Sequence, residues 1–532
     1  MFIDPTDPVY QDIRLLTESG LIKHAVLGQQ PYSRLQVAIL VAGAQATLDS
    51  SVAASAPTIG AEYRQFLAEL LVSIRQRFEI EAISGPGSTR LQIRPLREPI
   101  RALASEWTGT DSPWRAVPAN NGLGTIDAEI NPLLSNRQGR PLVDGSNVLL
   151  ASEHVFESSN FALSLQPEAY VATTDGRTAK SAAIQQAVGR VLYRNTALDI
   201  GRDYVRWGQG ADVGLLGSNN APPLNLIRLS NERLLTLPWI FRYLGPSKFS
   251  IFYARLGVEQ NFPNPYFVGY KVSIAPTNNL ELGADIYSKS GGRGAPPGSL
   301  SARIVDLFPF LDASGYANKV GLKGVFEFSD RYAGVDARWR IPGLRGTELY
   351  TELLMNDFDV RRLGSVLWQD AGHILGVGLP QLSANGRVRA WLEYHHTGDR
   401  YYEHAQFISG QTSKRILIGD PLGPDAHGLY ANLDWYQSVF RRYSIQGAVE
   451  RRSNDQFRYW DVPLPAFGWS RIEERPKEWR SRVLATWRQL PSGAGLGAFG
   501  QVGYEKALNF NFVQGDSRNG FLARAGVEVK FH

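Results

Sequence analysis

Along the last thirteen residues of the chain, Gly520 to His532, apolar and polar side chains alternate almost without a break. Phe521, Ala523, Ala525, Val527, Val529 and Phe531 fall on one side of an extended strand, and Gly520, Arg524, Gly526, Glu528 and Lys530 on the other, with Leu522 the one exception. Such a strand needs an apolar medium on one side and water or a polar interior on the other. A near-terminal aromatic is where outer-membrane barrels end, so the pattern predicts a transmembrane β-barrel.

The two-residue period recurs through the chain, which one amphipathic edge strand in a soluble domain would not explain. Tyr266, Val268, Tyr270, Val272 and Ile274 alternate with Phe267, Gly269, Lys271 and Ser273; Ala333, Val335, Ala337, Trp339 and Ile341 alternate with Gly334, Asp336, Arg338 and Arg340. Similar runs start at Val388, Leu429 and Leu496. Each is about ten residues long, enough for a tilted strand to cross a bilayer. Val268, Val272, Val335, Trp339, Val527 and Val529 are expected on the lipid face, and Trp239, Trp339, Trp368, Trp435 and Trp487 in interfacial girdles.

A barrel reconciles 43% hydrophobic residues with a mildly negative mean hydropathy, because half of each strand faces lumen water. No window of eighteen apolar residues exists, so helical spans are excluded. The absence of cysteine is compatible with passage through an oxidising periplasm without disulfides. The start, Met1-Phe-Ile-Asp, lacks the basic and apolar regions of a secretory signal and reads as the start of a trimmed or recombinant mature sequence.

The first eighty or so residues do not alternate. Pro8 to Ile22 suggests a short helix ended near Gly20; Ser33 to Leu48 suggests a second; Ile59 to Phe78 places Tyr63, Phe66, Leu67, Leu70, Leu71 and Ile74 at helical spacing. Pro57 and Thr58 precede this third helix and Gly85-Pro86-Gly87 follow it. The expected division is a helical bundle over residues 1–84, either a free-standing periplasmic module or a plug, and an antiparallel barrel over residues 85–532.

Between Asp199 and Leu256 stand Trp207-Gly208-Gln209-Gly210, Asn219-Asn220-Ala221-Pro222-Pro223, Ile227-Arg228-Leu229 and Leu244-Gly245-Pro246. Later come Glu393-Tyr394, Tyr401-Tyr402, Arg415-Ile416-Leu417-Ile418-Gly419 and Gly423-Pro424-Asp425. In content and order these blocks resemble the capsule-assembly Wzi family, and the likeness covers nearly the full chain. The resemblance implies an outer-membrane barrel of eighteen strands with a periplasmic helical bundle, acting as a lectin that attaches capsular polysaccharide to the cell surface. The chain departs from that pattern at its end, where His532 follows Phe531. Spacing alone, about 25 residues per strand and loop, would fit sixteen strands as well.

Arg202, Asp203, Arg206 and Trp207, with Asn219 and Asn220, are the candidate polysaccharide-binding residues. An indole offers a flat face to a pyranose, and arginine, aspartate and asparagine offer paired hydrogen bonds to hydroxyls and carboxylates. On the other reading Asn219 and Asn220 cap turns, the prolines stiffen an inward loop and the charges pair across the lumen. Glu393 and His395 share a strand face but lack a second ligand pair at metal spacing, so no metal site is expected, and no cofactor. No nucleophile elbow, phosphate loop or cysteine nucleophile appears, so no catalytic residue is assigned and the protein is expected not to be an enzyme.

Arg338, Arg340, Arg387, Arg389, Arg482 and Arg488 dominate the inward parity. With a net charge of +5 they would attract acidic polysaccharide, unless they pair with Glu327, Asp336 and Glu393. Nucleic-acid binding is not implied, because the basic residues lie on strands and not in a compact patch. The expected partners are acidic capsular or exopolysaccharide, outer-membrane lipid and the barrel assembly machinery, with the protein a monomer in the outer membrane. A porin or polysaccharide-export channel is the alternative that the polar inward faces alone would support.

Overall fold

The computed structural model describes residues 2–50, 60–85, 88–93, 95–117, 126–296, 304, 307–308, 329–356, 366–404, 406–460 and 468–531. Met1, Pro57, Thr58, Pro86, Gly87, Glu327 and His532 lie outside the described residues. Eighteen strands form the barrel. They are β1 (Arg97–Thr110), β2 (Gly145–Glu157), β3 (Phe161–Thr174), β4 (Arg177–Tyr193), β5 (Thr196–Asp203) and β6 (Leu224–Asn231). Next come β7 (Pro246–Arg255), β8 (Tyr266–Thr277), β9 (Leu280–Ser290), β10 (Ser329–Ile341), β11 (Thr347–Asn356) and β12 (Ala371–Leu379). The set ends with β13 (Val388–Thr397), β14 (Ala426–Tyr436), β15 (Arg441–Arg452), β16 (Glu478–Gln489), β17 (Gly495–Leu508) and β18 (Ser517–Lys530). Each strand pairs with its neighbours in sequence, and β18 closes the ring against β1 from Leu522 opposite Thr110 to Lys530 opposite Ala102. One further short piece, Leu235–Thr236, pairs with the start of β7.

The strands obey the expected parity because the two media differ. Val335 and Trp339 are about half exposed, whereas Asp336 and Arg338 between them are buried in the lumen. Val272, Val527 and Val529 are also on the exposed face. Val268 shares that parity but is buried, on the stretch of β8 where Tyr270 bonds the Leu307 carbonyl and meets the Phe308 ring. Leu522, the exception in the terminal strand, turns inward and packs with Leu133, Leu134 and Leu142 of the connection between β1 and β2. The five girdle tryptophans are all exposed, and Trp435, Tyr443 and Trp487 stand side by side across β14, β15 and β16.

Connections at one end are mostly short, such as 194–195 and 278–279, and at the other mostly long, such as 204–223 and 398–425, with 175–176 a two-residue exception. The short turns mark the periplasmic end and the long loops the outer one. At the periplasmic end lie α1 (Val9–Glu18), α2 (Arg34–Asp49) and α3 (Ala61–Arg77). The Asp7 carboxylate accepts the free Val9 N–H, and Gly20, at φ +82°, turns the chain after α1. Ser33 and Gln36 form a reciprocal capping box at the start of α2. Phe66, Leu70 and Ile74 are fully buried with Ile13 and Leu16 of α1, and this core continues into Tyr436 and Val439 at the foot of β14.

The helices are docked on the barrel and their flanking segments enter it. Arg14 reaches Glu348 of β11 at 3.2 Å, and Glu18 lies 3.4 Å from Arg389 of β13. The Phe2 ring sits under the guanidiniums of Arg190 and Arg228, at 3.9 and 4.5 Å. Several lumenal arginines are paired with carboxylates, though not with Asp336 or Glu393. Arg338 takes Glu281 and Glu348, Arg482 takes Glu450 and Arg387 takes Glu69, while Asp336 takes Lys271 and Glu393 takes His395.

Candidate functional site: an inward loop and the chamber beneath it

Residues 204–223, between β5 and β6, fold down into the barrel and meet the amino-terminal segment. Gln29 and Gln30 pair with Trp207 and Arg206 as a two-residue antiparallel ladder. Three strand-borne carboxylates hold these segments by their backbone N–H groups. Glu281 of β9 accepts from Leu27 and Gly28, both at 3.0 Å. Glu352 of β11 accepts from Gly210 at 2.5 Å and Leu215 at 3.2 Å, and Glu393 of β13 accepts from Ala211 at 2.5 Å and Asp212 at 3.3 Å. Carboxyl oxygens on fixed strands meet N–H donors that would otherwise be stranded in the lumen.

This clamp explains the Trp207-Gly208-Gln209-Gly210 block. At Gly208, with φ +115°, an added Cβ would lie 2.3 Å from the Glu352 Oε1, so a side chain there would push the loop off its anchor. Gln209 donates to Asp336 at 2.7 Å. Trp207 is buried at 3% exposure, its ring 5.1 Å from Phe252 and 5.4 Å from Tyr287. Its indole face is thus occupied by the barrel's own aromatics.

The other five candidates divide in the same way. Asp203 is buried and ion-paired with Arg228; Asn220 is buried, donating to the Leu417 carbonyl at 3.0 Å and accepting from the Asn136 N–H at 3.1 Å. Arg202, half-buried at the end of β5, has no ion pair or hydrogen bond among the described residues. Arg206 reaches the Gln30 side chain and the carbonyls of Gly210 and Ala211, and burial lowers its pKa from the ordinary range. Asn219 is half-buried; its carbonyl accepts from Gln138 at 2.7 Å, while its side chain is unbonded among the described residues. Near the clamp, burial pushes the Asp212 carboxyl above its ordinary range against the opposing pull of Arg482.

His395 lies deeper than its sequence context suggested. Its Nδ1 is 2.6 Å from Asp420 and its Nε2 3.2 Å from Glu393, so both ring nitrogens are engaged and the ring ties the loop 398–425 to β13. Among the described residues no group of three or more His, Asp or Glu is placed to hold a metal ion.

Arg206 and Asn219 line a lumenal cavity of about 290 Å³, and a second of about 330 Å³ adjoins it, sharing Asp7, Asn136, Arg137, Arg488, Phe499 and Arg524. Sequence reasoning missed this chamber and the glutamate clamp. Glu281 and Glu352 were not singled out in the sequence and Glu393 was, but the partners of all three are backbone groups of segments far away in sequence.

A closed antiparallel barrel, apolar outside and filled inside by its own amino terminus and an inward outer loop, defines an outer-membrane β-barrel protein. Residues 120–520 match the model of the capsule assembly protein Wzi family, and the chain belongs to that family. It is similar in structure, at TM-score 0.68 and 17% identity over 100% of this chain and 99% of that one, to Wzi of Escherichia coli, described as an outer membrane protein involved in group 1 capsule assembly and a carbohydrate-binding β-barrel. At that identity the likeness speaks for the fold. A 156-residue stretch is 26% identical to an uncharacterized 55.8 kDa protein in the cps region of Klebsiella pneumoniae, and the chain spans 29% of the length of that relative.

Proposed function

We propose that this protein is a non-enzymatic outer-membrane lectin that binds acidic capsular or exopolysaccharide and attaches it at the cell surface. It would be inserted by the barrel assembly machinery, sit in outer-membrane lipid and act as a monomer. The observation that carries the reading is the meeting of Gln29–Gln30 with Arg206–Trp207 inside the barrel, where the amino-terminal segment and an outer loop fill the same lumen. A porin or export channel needs a continuous wide path, which this arrangement opposes. Membership of a capsule-assembly family supports the same direction.

In this proposal Arg202, Arg206 and Asn219 offer polar groups to the polymer, while Asp203, Trp207 and Asn220 hold the loop that presents them. An arginine fork suits a carboxylate and an amide suits sugar hydroxyls. The triple variant Arg202→Ala, Arg206→Ala, Asn219→Ala should release most cell-bound polymer while its heat-modifiable migration stays that of the parent. Parental retention by a correctly assembled triple variant would remove these residues from the binding surface.

A further inference from the structure

Three guanidiniums stand in the lumenal chamber, and only one of them has an ion pair among the described residues. Arg524 of β18 is paired with Glu106 of β1 at 2.5 Å. Arg524 and Arg137 also both donate to one neutral acceptor, the Gln501 Oε1, at 3.0 and 2.8 Å. Two cations converging on one amide oxygen leave charge that a carboxylate would meet better. Arg137 has no ion pair among the described residues and its buried Nε has no partner there; the side chain of Arg488 on β16 makes neither an ion pair nor a hydrogen bond among them, and Asp7 acts on it only as a nearby charge. Nearby Asp7 is turned to Arg77 at 2.6 Å.

Part of the lining, which also carries Asp212 and Asp434, is suited to a sugar ring. Asn136, with a buried and unpartnered Oδ1, and Asn219 offer amides beside the Phe499 ring, while Gln501 is bonded to Thr486 and Gln446 to Asp212. Cavities of about 290 and 330 Å³ that share a wall fall at the lower end of the roughly 300–1,000 Å³ typical of small-ligand sites. Charged groups held without counter-ions in a partly dehydrated space are costly unless a ligand meets them.

We propose that the chamber is a binding site for a carboxylated sugar unit, its carboxylate between Arg137 and Arg488 and its hydroxyls on the surrounding amides. This deepens the lectin reading, on which it rests, by giving a place and a charge class to one bound unit. Arg488 is the cleanest test, since its side chain makes no hydrogen bond or ion pair among the described residues.

Full-length protein in detergent is titrated calorimetrically with sodium galacturonate, galactose and inorganic phosphate. Galacturonate should bind saturably, and galactose and phosphate each about tenfold more weakly or worse. R488Q should lose about tenfold in galacturonate affinity and R137Q/R488Q more, with parental heat-modifiable migration; R488Q alone decides if the double variant fails to assemble. Galactose or phosphate binding as tightly as galacturonate, or R488Q binding galacturonate like the parent, would overturn the site. Polymer retention by cells, measured in parallel, separates the two proposals: retention with no galacturonate binding removes the chamber alone, and loss of both removes the lectin reading as well.

Discussion

Val335 and Asp336 are consecutive on β10 and face opposite media. Val335→Arg places a cation on the lipid face and should cost about 2–4 kcal/mol if it lies near the midplane, read by urea unfolding in lipid vesicles. Parity alone would make Asp336→Arg the milder change. The structure argues otherwise, because Asp336 is held by Lys271 and by Gln209, and reversing its charge leaves the buried ammonium with Asp285 alone and sets a second cation beside it, which costs about 3–5 kcal/mol. A substantially smaller loss at Asp336 than at Val335 would show that this pair carries little. Asp399, in the loop after β13, behaves differently: burial and the facing Asp425 push its pKa from the ordinary 3.8 up to about 8. The folded loop therefore holds a proton that the unfolded chain releases, and the associated stability is fully present below the ordinary value and is lost as pH rises through about 8. The protection of amides in residues 398–425, corrected for intrinsic base-catalysed exchange, should fall between about pH 4 and about pH 8, and Asp399→Asn should flatten that fall. A pH-independent parent would remove Asp399 from this role.

Among the elements, the inward loop and the amino-terminal segment depend on each other. Gly208→Ala should displace the loop from Glu352 at a cost of about 1–3 kcal/mol and raise amide exchange at Gly210 and Leu215. Unchanged protection at both amides would mean that the clamp is not what holds the loop. Deleting residues 1–80 strips partners from Arg190, Arg228, Arg338 and Arg389 and empties part of the lumen. The truncated barrel should still insert, and its planar-bilayer conductance should exceed that of the full-length protein; equal conductance would contradict a plugging role for this segment. The helices themselves were readable, because Ser33 with Gln36 and the turn at Gly20 are local signals. Where they dock was not, since a buried stripe such as Phe66, Leu70 and Ile74 specifies an apolar partner without saying that Tyr436 supplies it.

At the scale of the molecule, the barrel was legible wherever a strand separates lipid from lumen, as in Val335 beside Asp336 or Val527 beside Glu528. Alternation of that kind is imposed by the two media and needs no distant partner. Strand number was not legible from spacing, because connections range from two residues at 194–195 to long loops such as 398–425; the family likeness supplied eighteen. The candidate site was half legible. The Trp207 to Gly210 block marks the inward loop, but what each residue touches there depends on pairings such as Gln209 with Asp336, 127 positions apart. In the function proposed above, this closed barrel is a carbohydrate-binding surface and not a conduit. Surface plasmon resonance of the host's own purified acidic polysaccharide over immobilised full-length protein tests it most directly: saturable binding that falls sharply in the Arg202→Ala, Arg206→Ala, Asn219→Ala variant is predicted, and no binding by correctly folded protein would contradict it.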